Sequence, residues 1–185
     1  MDLQLKPVFL RDIMAAFGKQ DAPVLSVHTQ YLTKDLPRLA EYYNIPFTFN
    51  AQIQELFYQN KILPTQRVLG IVKKDYPDHL ESLSCDMFRR VWADNEDILS
   101  DKILKTSCQT AGLTEAAADT VLSSSSSDVG KQQLNDLTQQ ALGFGAFGVP
   151  TYVAHLDDGP KMLFGSDRLF LLAYFLGHEW PGFKK

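Results

Sequence analysis

The chain of 185 residues is 45% hydrophobic and 22% charged, with a formal net charge of −4. This balance is typical of a globular protein large enough to bury a core. No run of Lys or Arg is longer than two residues, which argues against a basic nucleic-acid-binding surface. The longest apolar stretch, Leu169–Leu176, is far shorter than the ~20 residues of a membrane-spanning helix. The first residues form neither a signal peptide nor a transit peptide, so the chain's own signals predict a cytosolic protein.

The two cysteines and four histidines argue against disulfide-exchange chemistry and against a metal site. Cys85 and Cys108 are far apart in sequence and form no Cys-x-x-Cys motif, so we expect neither a disulfide framework nor a disulfide oxidoreductase. Both are interpreted as packing thiols. The histidines lack the spacing of zinc ligands, and no metal site is predicted.

The predicted elements begin with a short strand and continue with a long helical region. Leu3–Phe9 alternates apolar and polar residues at first, which predicts a strand that runs into a helix around Ile13 and Met14. Apolar residues at helical spacing then predict helices over residues 35–43, 51–60, 64–74, 77–97 and 100–112. Two more helices are predicted, one that begins at Thr114 and one that is capped by Asp128. The serines of 123–127, between them, are interpreted as a frayed helix end and a turn.

After residue 148 the period of the hydrophobic pattern changes. Thr151–His155 and Met162–Phe164 predict two strands, joined by a turn at Asp157–Pro160. Asp167–Leu176 predicts a final helix, capped by Ser166. A helical block of this size between β elements indicates an insertion into an α/β fold, not an all-α bundle.

The stretch Gly143–Gly148 matches the Gly-x-Gly-x-x-Gly pattern of dinucleotide-binding proteins, but in the wrong context. That motif follows a strand and opens a helix, so that the pyrophosphate meets the helix N-terminus. Here a predicted helix comes before the glycines and a predicted strand comes after them. We therefore interpret the stretch as a helix C-terminus and predict no nucleotide site.

The Val149-Pro150 step before the first of the two strands allows two interpretations. A cis proline would turn the backbone of Val149 outward and leave its N–H and C=O unpaired at a sheet edge. Such an edge can bind an extended peptide in the way that an added strand does. The alternative is an ordinary trans proline at the start of a strand, since cis bonds are a small minority of X-Pro bonds.

A second candidate binding element is Gly165-Ser166-Asp167, where a predicted strand gives way to a helix. Free N–H groups and the positive end of the helix dipole could hold a carboxylate, while Asp167 could hold an ammonium group. The two functions together suit the head group of an amino acid. The alternative is a plain helix N-cap followed by a favourable acidic residue.

Several blocks spread along the sequence resemble the kappa-class glutathione transferases. They are Leu3–Pro7, Arg90–Trp92 with Asn95–Ile98, Gly145–His155, and Met162–Arg168 with the residues up to Gly177. Together they cover nearly the whole chain in order, with weak similarity over residues 50–85. The resemblance implies an α/β protein with a thioredoxin-like fold and a large helical insertion, related to DsbA-like oxidoreductases and hydroxychromene-carboxylate isomerases.

By this resemblance, residues 1–10 and 145–185 form a remnant thioredoxin-like domain, and residues 11–144 form the helical insertion. The catalytic serine of the family follows its first strand, in a Ser-Pro-Tyr-type turn that nothing in this sequence matches. We therefore expect the first strand and helix of the thioredoxin unit to be missing, and no catalytic residue within the chain. The strand at Leu3–Phe9 is then expected to lack its neighbour.

The resemblance also implies a glutathione site. Val149 is expected to bond the cysteinyl backbone of glutathione beside a cis Pro150, and Ser166 and Asp167 are expected to hold the γ-glutamyl head. The family has an asparagine in the loop after its second strand. Lys19 stands at that place here and is the candidate for the glycyl carboxylate.

The implied function is conjugation of glutathione to small electrophiles, or reduction of peroxides, with glutathione as a co-substrate and no resident cofactor. A homodimer in mitochondria or peroxisomes is implied as well. Two alternatives stay open. One is a non-catalytic member of the family that binds glutathione weakly or pairs with a full-length subunit, and the other is an isomerase of the hydroxychromene type.

Overall fold

A computed structural model of the chain describes residues 2–18, 27–49 and 61–182, without the side chains of residues 27–29. Within these ranges the α-helices are α1 (Leu10–Ala16), α2 (Val27–Tyr43), α3 (Leu63–Asp75), α4 (Leu80–Trp92), α5 (Asp101–Thr110), α6 (Glu115–Ser126), α7 (Asp128–Gly143) and α8 (Leu169–Phe175). Two strands, β1 (Thr151–Leu156) and β2 (Gly159–Phe164), lie between α7 and α8. Short 3₁₀ turns precede α4 and α8. The helix predicted over 51–60 falls outside the described residues.

The main core lies between helices α3, α4, α5 and α6. On α3, Val68, Ile71 and Val72 are fully buried, and their spacing of three and four residues places them on one stripe of the helix. That stripe packs against apolar side chains of the three following helices, among them Leu83, Met87, Leu104, Cys108, Ala118 and Val121. The helical part of the chain therefore buries its own core without help from the strands.

The N-terminal segment differs from its prediction. Residues 2–9 form no strand in the described structure, although their pattern alternates. The segment instead ends at Phe9, which is buried in a second small core with Ile62, Val91, Ile98 and Leu134. Its backbone N–H donates to the hydroxyl of Thr138 on α7 at 3.0 Å. A strand needs a neighbouring strand to satisfy its backbone groups, and the two described strands pair with each other.

Helix α4 ends at Trp92, five residues before the predicted end at Asp97. Asn95 has a positive φ of 56°, which the right-handed helix does not allow. Below this point the guanidinium of Arg90 donates to the carboxylate of Asp86 at 2.6 Å and also to Glu96. The pair with Glu96 holds the loop after α4 against the last turn of the helix, while the pair with Asp86 lies within the helix.

The serine run forms a tighter corner than predicted. Helix α6 continues through Ser126, and Ser127 caps α7 by accepting a hydrogen bond from the N–H of Val129 at 3.2 Å. The predicted cap at Asp128 is therefore wrong. At this corner Gly130 lies directly against the backbone of Ser125, since a Cβ on Gly130 would be 2.6 Å from the Ser125 Cα. Only a glycine allows the two helices to follow each other so closely.

We expect Gly130→Ala to lower the free energy of unfolding by about 2 kcal/mol, because the added methyl group meets backbone that cannot rotate away. Gly143→Ala is the matched control, since nothing lies within 4 Å of a Cβ at that end of α7. The control should keep or slightly raise stability, because alanine favours a helix more than glycine does. Urea unfolding followed by circular dichroism measures both. Equal effects of the two substitutions would contradict the proposed close contact.

The buried ion pair on α4 predicts a pH dependence of stability. Asp86 and Arg90 are 7% and 8% exposed. Burial disfavours the ionised form of Asp86, but the hydrogen bonds that it accepts from Arg90 and Arg89 outweigh this effect and hold the pKa of Asp86 below its ordinary 3.8. A carboxyl group whose pKa is lower in the folded state stabilises the fold above its unfolded pKa, and this contribution is lost as the pH falls through the folded pKa.

Asp86→Asn should therefore destabilise the protein by about 3 kcal/mol at pH 7, because it leaves a buried guanidinium with one partner fewer. The difference between wild type and variant should shrink as the pH is lowered from 5 towards 2. Free energies of unfolding from urea titrations across this range test the prediction. Asp158→Asn, which removes an exposed pair with Lys161 at 2.6 Å, should change stability little at any of these pH values. A constant difference for Asp86→Asn across the range would contradict the assignment.

Candidate functional site

The candidate site lies at the open end of the β1–β2 hairpin. The strands pair antiparallel, from Leu156 opposite Gly159 at the closed end to Thr151 opposite Phe164 at the open end. Gly159 has a φ of +112°, which suits glycine and lets the chain reverse after two residues. The ladder continues one step beyond the strands, because the N–H of Gly165 donates to the C=O of Pro150 at 3.0 Å. This bond places Pro150, which precedes β1, beside Gly165, which follows β2.

The Val149-Pro150 peptide bond is cis. This confirms the cis proline that the family resemblance implies. Val149 is 41% exposed, and among the described residues none hydrogen-bonds its backbone N–H or C=O. One residue earlier, the C=O of Gly148 accepts a hydrogen bond from the Thr151 hydroxyl at 2.7 Å. The segment is therefore fixed on both sides of Val149, while the backbone of Val149 itself stays open to a ligand.

An aromatic ring packs directly on the backbone at Gly148. A Cβ on Gly148 would lie 2.8 Å from the Cε2 atom of Phe164, so the ring rests directly on the glycine backbone. Two residues back, Ala146 is fully buried and its N–H donates to the C=O of Ala141 at 3.0 Å. These contacts attach the open end of the hairpin to the last turn of α7. The glycines of the Gly-x-Gly-x-x-Gly stretch thus serve a helix end and a close packing contact.

The turn after β2 places Ser166 and Asp167 beside the open end of the hairpin. Gly165 has a φ of +94°, and Ser166–Arg168 form a 3₁₀ turn before α8. The carboxylate of Asp167 folds back over Gly165 and accepts a hydrogen bond from the Arg168 guanidinium. The N-cap position of α8 is occupied by Arg168, which makes no capping hydrogen bond with its side chain, so the predicted role of Ser166 as the cap of the final helix is wrong. That helix begins at Leu169, two residues later than predicted.

The structure brings four of the five predicted site residues together. The hydrogen bond between Gly165 and Pro150 sets Val149 next to the turn that carries Ser166 and Asp167, because paired strands lie only about 5 Å apart. Lys19 lies outside the described residues. Neither Arg168, which neutralises Asp167, nor the ring of Phe164 was predicted as part of this region. The register of the hairpin, which puts Phe164 opposite Thr151, is the signal that would have located the ring.

The described ranges hold neither a cluster of metal-ligating side chains nor a membrane-spanning helix. No group of three or more His, Cys, Asp or Glu side chains there is placed to hold a metal ion. None of the helices in those ranges is long and apolar enough to cross a membrane.

The two thiols lie away from the candidate site and differ in accessibility. Cys108 is buried in the main core, and this burial raises its pKa to about 11. Cys85 is exposed on α4. A buried thiol with a raised pKa holds very little of the reactive thiolate at neutral pH.

We expect a disulfide reagent at pH 8 to modify one thiol per native chain and two in 6 M guanidinium chloride. The Cys85→Ser variant should lose the fast native reaction, whereas Cys108→Ala should keep it. Absorbance of the released aromatic thiol measures both stoichiometry and rate. A rapid native reaction in the Cys85→Ser variant would show that Cys108 is accessible.

Comparison with known proteins identifies relatives of the chain in sequence and in fold. The family model of the DSBA-like thioredoxin domain matches residues 1–177. Glutathione S-transferase kappa 1 of Rattus norvegicus is 34% identical over 180 residues, which are 97% of this chain and 80% of that protein. The human protein of the same name is 34% identical over 182 residues, with 98% and 80% covered. A solved structure of 2-hydroxychromene-2-carboxylate isomerase superimposes with a TM-score of 0.69 at 23% identity, and the match covers 92% of this chain and 77% of that one.

These matches define the class as α/β proteins with a DsbA-like thioredoxin fold, which confirms the expected fold class. The chain belongs to the DsbA-like thioredoxin-domain family, in its branch of kappa-class glutathione transferases. Within the described residues the fold is rich in helices and its sheet is small. The division into a thioredoxin-like part and a helical insertion stays a prediction, although every described strand residue lies within 145–185.

Proposed function

We propose that the chain binds glutathione at the open end of the hairpin and uses it as a glutathione transferase does. The observation that carries the proposal is the open backbone of Val149 next to an acidic turn, in a member of the kappa-class branch. Val149 and Pro150 would hold the cysteinyl part of the tripeptide, and Ser166 with Asp167 would hold its γ-glutamyl head. Small electrophiles or peroxides would be the second substrates.

The backbone of Val149 supports the cysteinyl part of this proposal. An N–H and a C=O on one residue match the C=O and N–H of a single residue in an extended peptide, as in the pairing of two strands. Because Gly148 and Pro150 are both held by hydrogen bonds, little conformational entropy is lost when a peptide adds at this place. The exposed backbone thus favours a short extended ligand.

The acidic turn supports the γ-glutamyl part. A γ-glutamyl head carries an ammonium and a carboxylate group. The ammonium group could replace the guanidinium of Arg168 at the carboxylate of Asp167, which is exposed in the free protein. Ser166 opens the same 3₁₀ turn, and its hydroxyl could donate a hydrogen bond to the carboxylate group.

Binding and turnover are separate parts of the proposal. Catalysis requires a donor that stabilises the thiolate of glutathione, and no position of the sequence matches the serine that serves this role in the family. The second candidate function is a family member that binds glutathione and does not turn it over. In either case, as the family resemblance implies, we propose a homodimer.

Titration calorimetry with glutathione tests the binding. Asp167→Asn should weaken binding about tenfold, because it removes one charge-assisted hydrogen bond to the ammonium group. Asp157→Asn is the matched control, since Asp157 is an exposed acid at the opposite, closed end of the same hairpin. Its affinity should equal that of wild type. An equal loss in both variants would point to a general charge effect and would contradict the assigned role.

An assay of glutathione conjugation to chlorodinitrobenzene then separates the two candidate functions. A rate above that of the uncatalysed reaction supports the enzyme. Binding in the calorimeter without such a rate supports the non-catalytic alternative. If glutathione gives no heat of binding in the calorimeter, both candidate functions are wrong.

A further inference from the structure

We propose that the outer edge of β1 pairs antiparallel with β1 of a second copy of the chain, so that the two hairpins form one four-stranded sheet. The inference gives an interface to the homodimer proposed above and rests on that part of the proposed function. It requires no bound glutathione. The register of the hairpin, the residues at its two edges and the small size of its sheet support it.

The hairpin ladder determines which backbone groups of β1 point away from β2. The bond from the N–H of Gly165 to the C=O of Pro150 makes these residues a hydrogen-bonded pair, and such pairs alternate with non-bonded pairs along antiparallel strands. The backbone groups of Thr151, Val153 and His155 therefore point outward. None of them bonds the backbone of another described residue. The outer edge of β1 thus offers a row of free donors and acceptors.

The two outer edges of the hairpin differ in their protection against pairing. Natural sheets usually protect an exposed edge with prolines or charged side chains, which prevent pairing with another chain. On β2, Pro160 occupies an outward position and has no N–H to donate, and Lys161 follows it. The sequence of β1, Thr-Tyr-Val-Ala-His-Leu, contains no proline and no Asp, Glu, Lys or Arg. Only the edge of β1 is therefore open to pairing.

The small size of the sheet favours the addition of a strand at this edge. A two-stranded sheet is marginally stable unless further strands or a helix cover it. Within the two strands only Ala154 and Leu163 are buried, at 6% and 5% exposed, so the helices of the described structure cover little of the hairpin. A further strand would satisfy the outward backbone groups of β1 and cover more of its half-buried side chains.

A second β1 is the described segment that fits this edge. The partner must present an extended, uncharged edge with its own free donors and acceptors. β2 does not, for the reasons given above, and the N-terminal residues 2–8 contain Asp2, Lys6 and Pro7. That segment is also held in place, because the ammonium group of Lys6 donates to the side-chain oxygen of Gln140 at 3.1 Å. β1 fulfils each condition, and an antiparallel strand can pair with an identical copy about a two-fold axis.

The different protection of the two edges limits the assembly to two copies. A two-fold axis uses the same edge of each copy, so the contact closes on itself. The two outer edges of the resulting sheet are both β2, where Pro160 opposes the addition of further strands. The contact involves Thr151–Leu156. Val149 lies before the strand, so its backbone stays available to glutathione.

Two proline substitutions at facing positions test the interface. Val153 and Met162 lie opposite each other in the ladder, and their N–H groups point to opposite outer edges. Val153→Pro removes an N–H that only an added strand would use, and Met162→Pro is the matched control at the protected edge. Analytical ultracentrifugation of the full chain over a series of concentrations measures the dissociation constant of the dimer. Wild type should form dimers, Val153→Pro should raise the constant about tenfold or more, and Met162→Pro should leave it unchanged.

Hydrogen exchange of the wild-type chain tests the same contact without a substitution, which guards against misfolding of the proline variants. In the monomer the amides of Val153 and His155 have no partner and should exchange rapidly. At concentrations above the dissociation constant their exchange should slow about tenfold or more, because each amide then donates to the second copy. The amide of Met162 points to the protected edge and should exchange at the same rate at both concentrations. If the exchange of Val153 and His155 does not slow with concentration, the interface is wrong.

The remaining outcomes separate the interface from the proposed function. If wild type stays a monomer at every concentration, the interface and the homodimer are both wrong, and glutathione binding, which calorimetry measures separately, still stands. If wild type and Val153→Pro dimerise equally well, the homodimer stands and this interface is overturned. If the chain dimerises through β1 but binds no glutathione, the interface stands and the glutathione part of the proposed function fails.

Discussion

The hydrogen bond from the N–H of Gly165 to the C=O of Pro150 is the constraint on which the candidate site depends. It extends the hairpin ladder by one step and so determines which residues face each other at the open end. A shift of register by one residue would turn every side chain of β2 to the other face of the sheet. Phe164 would then leave Gly148, and the acidic turn would no longer lie beside Val149. The positions of all the site residues follow from this one alignment.

The hairpin is joined to the helical part through a few contacts at the end of α7. Ala146 is buried there, and the ring of Phe144 meets His155 edge to face at 5.6 Å. The helices, in contrast, bury a continuous core of their own from α3 to α6. The residues that stabilise the helical core are therefore largely separate from the residues of the candidate site. Substitutions in the helical core should change stability, and those at the open end of the hairpin should change binding.

Elements that depend on interactions between residues close in sequence were predicted more accurately than elements that depend on contacts between distant residues. Helices α3 to α7 were located from apolar spacing, because the hydrogen bonds and the buried stripe of a helix come from residues close in sequence. The start of α6 at Thr114 was also correct, since its hydroxyl accepts from the N–H of Ala117 at 3.2 Å. The end of α4 was not, because a positive φ at Asn95 and ion pairs to the following loop decide it.

The strand predicted at Leu3–Phe9 fails for a related reason. Alternation shows which side chains could face one side, but a strand exists only where another strand accepts its backbone bonds. In the described structure the segment is instead held by Thr138 on α7. Ser166 fails as a cap because the chain enters a 3₁₀ turn at that residue, and α8 begins only at Leu169.

By itself, the sequence determined the class of the chain, most of its helices, and the residue types of the hairpin that carries the candidate site. Blocks such as Gly145–His155 and the turn at Ser166 and Asp167 could be recognised because they are continuous in sequence. Only the tertiary structure decided that Val149 and Asp167 lie at one end of one hairpin, and that Phe164 packs on Gly148 beside them. These are contacts between residues distant in sequence. They depend on strand register, which no local pattern specifies.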